Sequence, residues 1–247
     1  MASWLMTEDA RCHAHRPTNG YPLAVIENDS DTLLFERPLI TRGEIVVGID
    51  EVGRGALAGP MTVGAVVMRD LRLPPVGLTD SKLLTVARRE ALVGPLEKWA
   101  ADVAFGWVSA EEIDWWGIRT ALAVAATRAI DRLSLRPTYA LLDGSFNLLR
   151  ASSDVSFGAP PSPPLSYSDL PAMTIVKGDR RSATIAAASV LAKVRRDLYM
   201  REIASGFEAF GWAQNKGYGA SSHMEAIRRI GPSIHHRKSW NLPQQIV

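Results

Sequence analysis

Residues 45–49, IVVGI, form an apolar run that closes on two adjacent acids, Asp50 and Glu51. A short apolar run bounded by polar residues and glycine predicts a buried strand. Residues 61–68, MTVGAVVM, predict a second strand, and 103–108, 138–142 and 173–176 predict three more. Helical spacing replaces strand spacing elsewhere. A helix is expected to open at Asp80-Ser81-Lys82, with Asp80 or Ser81 as its N-cap, and to run to about Trp99. A long alanine-rich helix is expected over 111–133, its N-terminal end favoured by Glu111, Glu112 and Asp114. Residues 182–204 place Leu191, Val194 and Leu198 on one helical face, and a short helix is expected over 222–230. The resulting order is strand, strand, helix, strand, helix, strand, strand, helix, helix. Early neighbouring strands followed by helical crossovers predict an α/β fold with a mixed five-stranded sheet flanked by helices and a small helical C-terminal region.

Three stretches depart from this pattern. Residues 1–43 are polar with weak periodicity and are expected to be an extension, ordered in part at best. Residues 151–171 carry five prolines and six serines, so they are expected to be a surface loop inserted into the main domain, 44–210. Residues 211–247 form the C-terminal region.

Composition narrows the class. The chain has 247 residues, is 47% hydrophobic and 22% charged, and so has ample core material for one large domain. One cysteine, Cys12, rules out an internal disulfide framework. No apolar run reaches the roughly 18 residues of a membrane span, and the N-terminus lacks the pattern of a signal peptide. The expectation is a soluble, cytoplasmic monomer. Net charge is +2, yet residues 177–238 alone carry +7 and the rest −5. A basic C-terminal quarter suits a polyanion partner, or equally a solvated basic surface.

The chemistry gathers at strand ends. Gly53, Gly55 and Gly59 follow the first strand, but their spacing is wrong for a dinucleotide fingerprint and a Walker loop's Gly-Lys-Ser/Thr is missing. Asp50, Asp143 and Asp179 each follow a strand, where sites collect in open α/β sheets. Hard cations such as Mg²⁺ or Mn²⁺ take carboxylate oxygens together with substrate phosphate, and such an ion makes adjacent Asp50 and Glu51 tolerable. Alternation along a strand sends those two side chains to opposite faces, so one shared site requires the strand to twist or break there. Each acid also has a structural reading: Asp143-Gly144 as a turn, Asp179 as a helix cap, and Asp197 as a helix-surface ion pair with Lys193 or Arg201. A zinc site at Cys12, His13 and His15 lacks a fourth ligand, and no G-x-S-x-G nucleophile motif is present.

These stretches resemble the type 2 ribonucleases H, most closely the bacterial ribonuclease HII family. GIDEVGRGALAGP is similar to the family's Asp-Glu-x-Gly-Arg-Gly signature, LTDSKLL to its Asp-Ser-Lys element, and LLDG to the segment bearing its third acid. VKGDRRSATIAAASVLAKVRRD is similar to its Lys-Gly-Asp segment and alanine/serine-rich helix. NKGYGASSHMEAIRRIGPSIHHRKSW resembles its Lys-Gly-Tyr-Gly, downstream His and His-Arg-x-Ser-aromatic ending. Together they span about residues 44–241. The resemblance implies a ribonuclease H-like catalytic domain over 44–210 and substrate binding by 211–247. It implies hydrolysis of the RNA strand of RNA–DNA hybrids and incision 5′ to single ribonucleotides in duplex DNA. Two Mg²⁺ or Mn²⁺ ions would act at the bond that is cut, leaving 3′-hydroxyl and 5′-phosphate ends. Asp50, Glu51, Asp143 and Asp179 would be the catalytic acids and metal ligands, with Asp197 a weaker candidate. Gly53, Arg54 and Gly55 would read the ribose 2′-hydroxyl and nearby phosphates, Tyr218 would stack on the next sugar, and Lys82, Lys177 and Lys216 would contact phosphates. SKLL departs from the family in carrying leucine in place of the usual second lysine, and Trp240 stands where phenylalanine is common.

Other readings stay open on sequence. A nuclease of the same fold acting on DNA junctions would share the acids, and a non-catalytic nucleic-acid-binding module would need only the basic region.

Overall fold

The computed structural model describes residues 32–150 and 158–245. Cys12, His13 and His15, most of the N-terminal extension and the first part of the 151–171 loop lie outside them.

Five strands make one mixed sheet. They are β1 (Val46–Val52), β2 (Met61–Met68), β3 (Asp102–Val108), β4 (Tyr139–Asp143) and β5 (Ala172–Ile175), in the order β3-β2-β1-β4-β5. β1 runs antiparallel to β2 and β2 to β3, while β1–β4 and β4–β5 are parallel. Two long helices cover the faces. α3 (Ala110–Asp131) buries Leu122, Ala125, Ala126 and Ala129 against Val47, Ile49, Val63 and Ala65. α4 (Ala183–Glu202) packs on the other face, with α2 (Val86–Trp99) beside it, around Val66, Leu92, Leu96, Ala188 and Leu191. The runs of small residues that make both helices alanine-rich allow this close packing. A Cβ on Gly64 would come within 2.7 Å of the Ala188 carbonyl oxygen, and one on Gly48 within 2.3 Å of the Thr184 backbone. Those two glycines let α4 lie directly on β1 and β2.

The structure corrects several boundaries. The first strand does not stop at Ile49: it runs through both acids to Val52, because Asp50 and Glu51 keep their ladder partners Gly64 and Val63 on β2. The helix expected from residue 80 is two elements, a 3-10 turn at Ser81–Leu83 capped by Asp80, then α2, capped by the Thr85 hydroxyl. α3 is kinked at Gly117 (φ 68°) and starts in a capping box formed by Ser109 and Glu112. Within the stretch expected to be irregular, α1 (Glu36–Thr41) packs against the body, with Leu39 and Glu36 buried. After α4, the 3-10 turn Glu208–Phe210 and α5 (Trp212–Asn215) precede α6 (Ser221–Ile230). They enclose a separate small core of Met200, Phe210, Trp212 and Ile227.

Candidate active site

Four carboxylates gather at the carboxyl-terminal parts of β1 and β4. Asp50 lies on the β1 face that meets α4: it is buried, accepts a hydrogen bond from the Ser189 hydroxyl and from the Glu51 amide (2.8 Å), and Ser189 in turn is held by Ser81 at 2.9 Å. Glu51 points to the other side of the ribbon, where Arg54 lies 3.5 Å away. Asp143 ends β4 opposite Ile175 of β5, and its Oδ1 accepts from the Gly178 amide at 2.7 Å. Asp179 sits in the 3-10 turn Gly178–Arg180 that links β5 to α4. It does not cap the helix, since the Ser182 hydroxyl accepts from the Ile185 amide instead.

The four groups act on each other electrically. Burial, then Glu51 and Asp143, push the Asp50 carboxyl well above the usual range. Burial raises Glu51 as well, with Arg54 partly offsetting it and Asp143 adding to it. Asp179 is pushed up to about 6 by burial and by Asp143 and Asp80. Asp143 is the group the other three share. That convergence answers the alternation problem without a strand break: Asp50 and Glu51 leave the ribbon on opposite sides, and both still feel Asp143 across its end.

Such a cluster is short of positive charge. Lys82 supplies some, its Nζ 4.0 Å from Asp179 Oδ2. Burial works against its ammonium form, but Asp179, Asp80, Asp50 and Asp143 together outweigh this and raise its pKa. Oxygen-only donors that are buried and mutually repelling suit a hard divalent cation. Among the described residues no group of three or more His, Cys, Asp or Glu is arranged to hold a metal ion as it stands. Asp50 and Asp143 each have one oxygen turned to a backbone amide, Glu51 and Gly178 respectively.

Beside the acids lies the Gly53–Pro60 loop. Gly53 takes φ 82°, and a Cβ there would meet the Arg196 side chain at 2.1 Å. Two fully buried arginines tie the loop's carbonyls inward. Arg237 donates to the carbonyls of Gly53, Arg54 (2.7 Å) and Gly59 (3.2 Å); Arg196 donates to those of Pro60 (2.8 Å), Ala58 (3.3 Å) and Lys216 (3.0 Å). Burial and Arg196 depress the Arg237 guanidinium to about 9. Gly55 faces open space, and the Arg54 guanidinium lies 5.1 Å from the centre of the half-buried Phe146 ring. Neither buried arginine stood out in the sequence, where both counted only as part of a basic region. The signal was their place in quoted motifs, RRD and HHRK.

The Lys216-Gly217-Tyr218 turn docks on the same loop. The Gly217 carbonyl accepts from the amides of Leu57 (2.8 Å) and Ala58 (3.2 Å). A Cβ on Gly217, which has φ 83°, would come 2.3 Å from the Ala58 oxygen. The half-buried Tyr218 ring stands 5.4 Å from the Arg196 guanidinium and 6.0 Å from Lys193 Nζ. The remaining predicted residues are less central. Lys177 is exposed in left-handed backbone (φ 56°), and Lys216 folds its ammonium back on the Ala213 carbonyl. Asp197 stands apart from the four acids: it is buried, with both oxygens on Lys193 Nζ at 2.5 and 2.7 Å, while Arg201 pairs with Glu90. A concavity of about 1120 Å³ lies elsewhere, lined by Trp107, Tyr199 and His235 among others, and includes none of the four acids.

A family model described as Ribonuclease HII matches residues 47–242. The chain is similar to a Ribonuclease HII of Streptomyces coelicolor, 46% identical over 200 residues, covering 81% of this chain and 78% of that one. A Ribonuclease HII of Jannaschia sp. is 45% identical over 198 residues, covering 80% and 90%. Among solved structures, the ribonuclease HII of the PCNA:RNase HII complex from Archaeoglobus fulgidus superposes with a TM-score of 0.62 at 27% identity, covering 82% of this chain and 98% of that one.

Proposed function

Because this chain belongs to the ribonuclease HII family and is thereby a type 2 ribonuclease H, a metal-dependent endoribonuclease, we propose that it cuts the RNA strand of RNA–DNA hybrids and incises duplex DNA 5′ to single embedded ribonucleotides. The observation that carries this is the convergence of four carboxylates on Asp143 beside a loop whose carbonyls are turned inward.

Asp50, Glu51, Asp143 and Asp179 would hold the divalent cations, Mg²⁺ or Mn²⁺. Two such ions would supply water activation and stabilisation of the leaving 3′-oxygen, the chemistry that would give 3′-hydroxyl and 5′-phosphate ends. The chain's own residues do the rest. Asp143 and Asp179 are held by the β4 end and the turn before α4. Asp50 is fixed in one rotamer by Ser189, and Lys82 offsets part of the acids' repulsion and faces the phosphate. With the Gly53 and Arg54 carbonyls occupied by Arg237, the Gly53-Arg54-Gly55 segment offers donors to the ribose 2′-hydroxyl, the group that separates RNA from DNA. Tyr218 packs on the sugar beyond the ribonucleotide, and Lys177 and Lys216 lie where they can contact phosphates. The same reading places the chain in the cytoplasm as a monomer.

The test compares three duplexes with Mg²⁺ or Mn²⁺ present: one with a single ribonucleotide, one RNA–DNA hybrid and one all-DNA. Cleavage of the first two and not the third is expected. Cleavage of the all-DNA duplex at a similar rate would instead assign the site to a DNA nuclease.

A further inference from the structure

The small C-terminal core contains two histidines facing each other. His223, on α6, and His236, just before the buried Arg237, approach Nε2 to Nε2 at 3.0 Å. Both side chains are buried. The partners fix where each proton lies. The Tyr218 carbonyl, 2.8 Å from His223 Nδ1, can only accept, so Nδ1 carries the proton. Trp212 Nε1, 3.1 Å from His223 Nε2, can only donate, so Nε2 is bare. His236 must then donate through its own Nε2, and its Nδ1 accepts from the Ser233 amide at 2.9 Å. These partners fit one arrangement, both rings neutral and in opposite tautomers, with the single lone pair of His223 Nε2 shared by the Trp212 and His236 N–H groups and the Ser233 hydroxyl 3.0 Å from His236 Nδ1. Burial depresses both imidazoles, and His236, further lowered by His223, reaches about 4.

We propose that His223 is a positioning residue for Tyr218, holding its carbonyl through a tautomer that Trp212 and His236 enforce. The carbonyl it grips also accepts from the Ala220 amide at 2.8 Å, so the turn is closed from both sides. Gly217, the preceding residue, is bonded to the Gly53–Pro60 loop, and Arg237, which follows His236, grips the same loop. The pair therefore joins the two segments that seat the tyrosine ring against the reading loop. The inference rests on the role given to Tyr218 above.

Two amide substitutions separate the two ring nitrogens. In His223→Asn the side-chain amide can donate to the Tyr218 carbonyl from the Nδ1 position, with no tautomer to enforce. In His223→Gln the amide reaches the Nε2 position and leaves that carbonyl to Ala220 alone. On a duplex with one ribonucleotide, His223→Gln is expected to lose about tenfold or more in kcat, in the manner of a misplaced positioning group. His223→Asn is expected to recover most of that loss, although it is the variant that abandons Trp212 and His236. Equal kinetics in the two variants, or loss tracking thermal stability alone, would overturn the proposal. NMR of isotope-labelled imidazole nitrogens in the full chain gives an independent reading. A protonated Nδ1 on His223 with a protonated Nε2 on His236 is expected, and the reverse or a mixture would overturn it. Failure of the wild type to incise the ribonucleotide duplex would count against the functional reading, while wild-type incision with an unaffected His223→Gln would count against this inference alone.

Discussion

Asp143 is the residue on which the site turns, since Asp50, Glu51 and Asp179 all have their charge disfavoured by it. Acids with raised pKa values strain the fold at neutral pH. Their stabilising contribution is full below the ordinary carboxyl range and is lost as pH rises through the folded value, about 6 for Asp179. Removing one charge therefore relieves repulsion. Asp50→Asn is expected to melt about 2–4 °C higher than wild type at neutral pH in chelator, measured by calorimetry, while losing activity. A lower melting temperature would mean that the carboxylate is stabilised where it stands. The raised carboxyls also bear on activity: protons compete with the cation for these oxygens, so incision rate should fall on the acid side, and raising the cation concentration should move that fall to lower pH. Glu51 was legible as a candidate from its adjacency to Asp50 in the sequence. The way the two cooperate was not, because strand alternation called for a twist or a break after Ile49, and the structure instead keeps β1 regular, with both acids influenced by Asp143.

At the level of elements, the site depends on α4 lying close enough for Ser189 to reach Asp50, for Arg196 to reach the loop and for Asp179 to be set at the helix entry. Gly64 makes room for that approach. A Val side chain there would meet the Ala188 carbonyl and Ala192. Gly64→Val is expected to destabilise the fold by about 1–3 kcal/mol or more, read from chemical denaturation. It should also reduce activity beyond what stability explains, by displacing α4. Unchanged stability would show that α4 shifts freely. Strand positions and the two long helices were readable because apolar runs and alanine-rich faces report burial directly. The split at Leu84–Thr85 rests on two local caps, Asp80 on the Lys82 amide and Thr85 on the Arg88 amide, whereas α1 was hidden because tertiary partners hold it, Glu36 by Ser182 and Thr184. Arg196 and Arg237 were hidden for the same reason. Nothing local distinguishes a guanidinium that binds loop carbonyls from one that faces solvent.

Across the whole molecule, the charge asymmetry noted in the sequence divides in the structure. Arg196 and Arg237 are buried and serve the loop; Lys177, Arg180, Arg181 and Arg195 are exposed. Only the exposed group can meet a polyanion directly. Duplex affinity should therefore fall steeply with salt, with a log–log slope of magnitude below the twelve basic residues counted in 177–238. Filter binding at several ionic strengths checks this, and a flat profile would remove the basic region from the interface. Among the described residues no helix is long and apolar enough to cross a membrane. The mixed sheet was readable in outline, because hairpin-spaced strands followed by crossovers leave few topologies. The docking of the C-terminal segment on the Gly53–Pro60 loop was not, being made of backbone contacts at Gly217 and the Ala58–His236 bridge.

The most direct measurement is the incision rate of duplex DNA carrying one ribonucleotide, with Mn²⁺ or Mg²⁺, by wild type and by Asp143→Asn. Wild type should cut on the 5′ side of the ribonucleotide and leave a 3′-hydroxyl. The variant, folded by circular dichroism, should be slower by about a hundredfold or more. A folded Asp143→Asn that cuts at the wild-type rate would contradict the account.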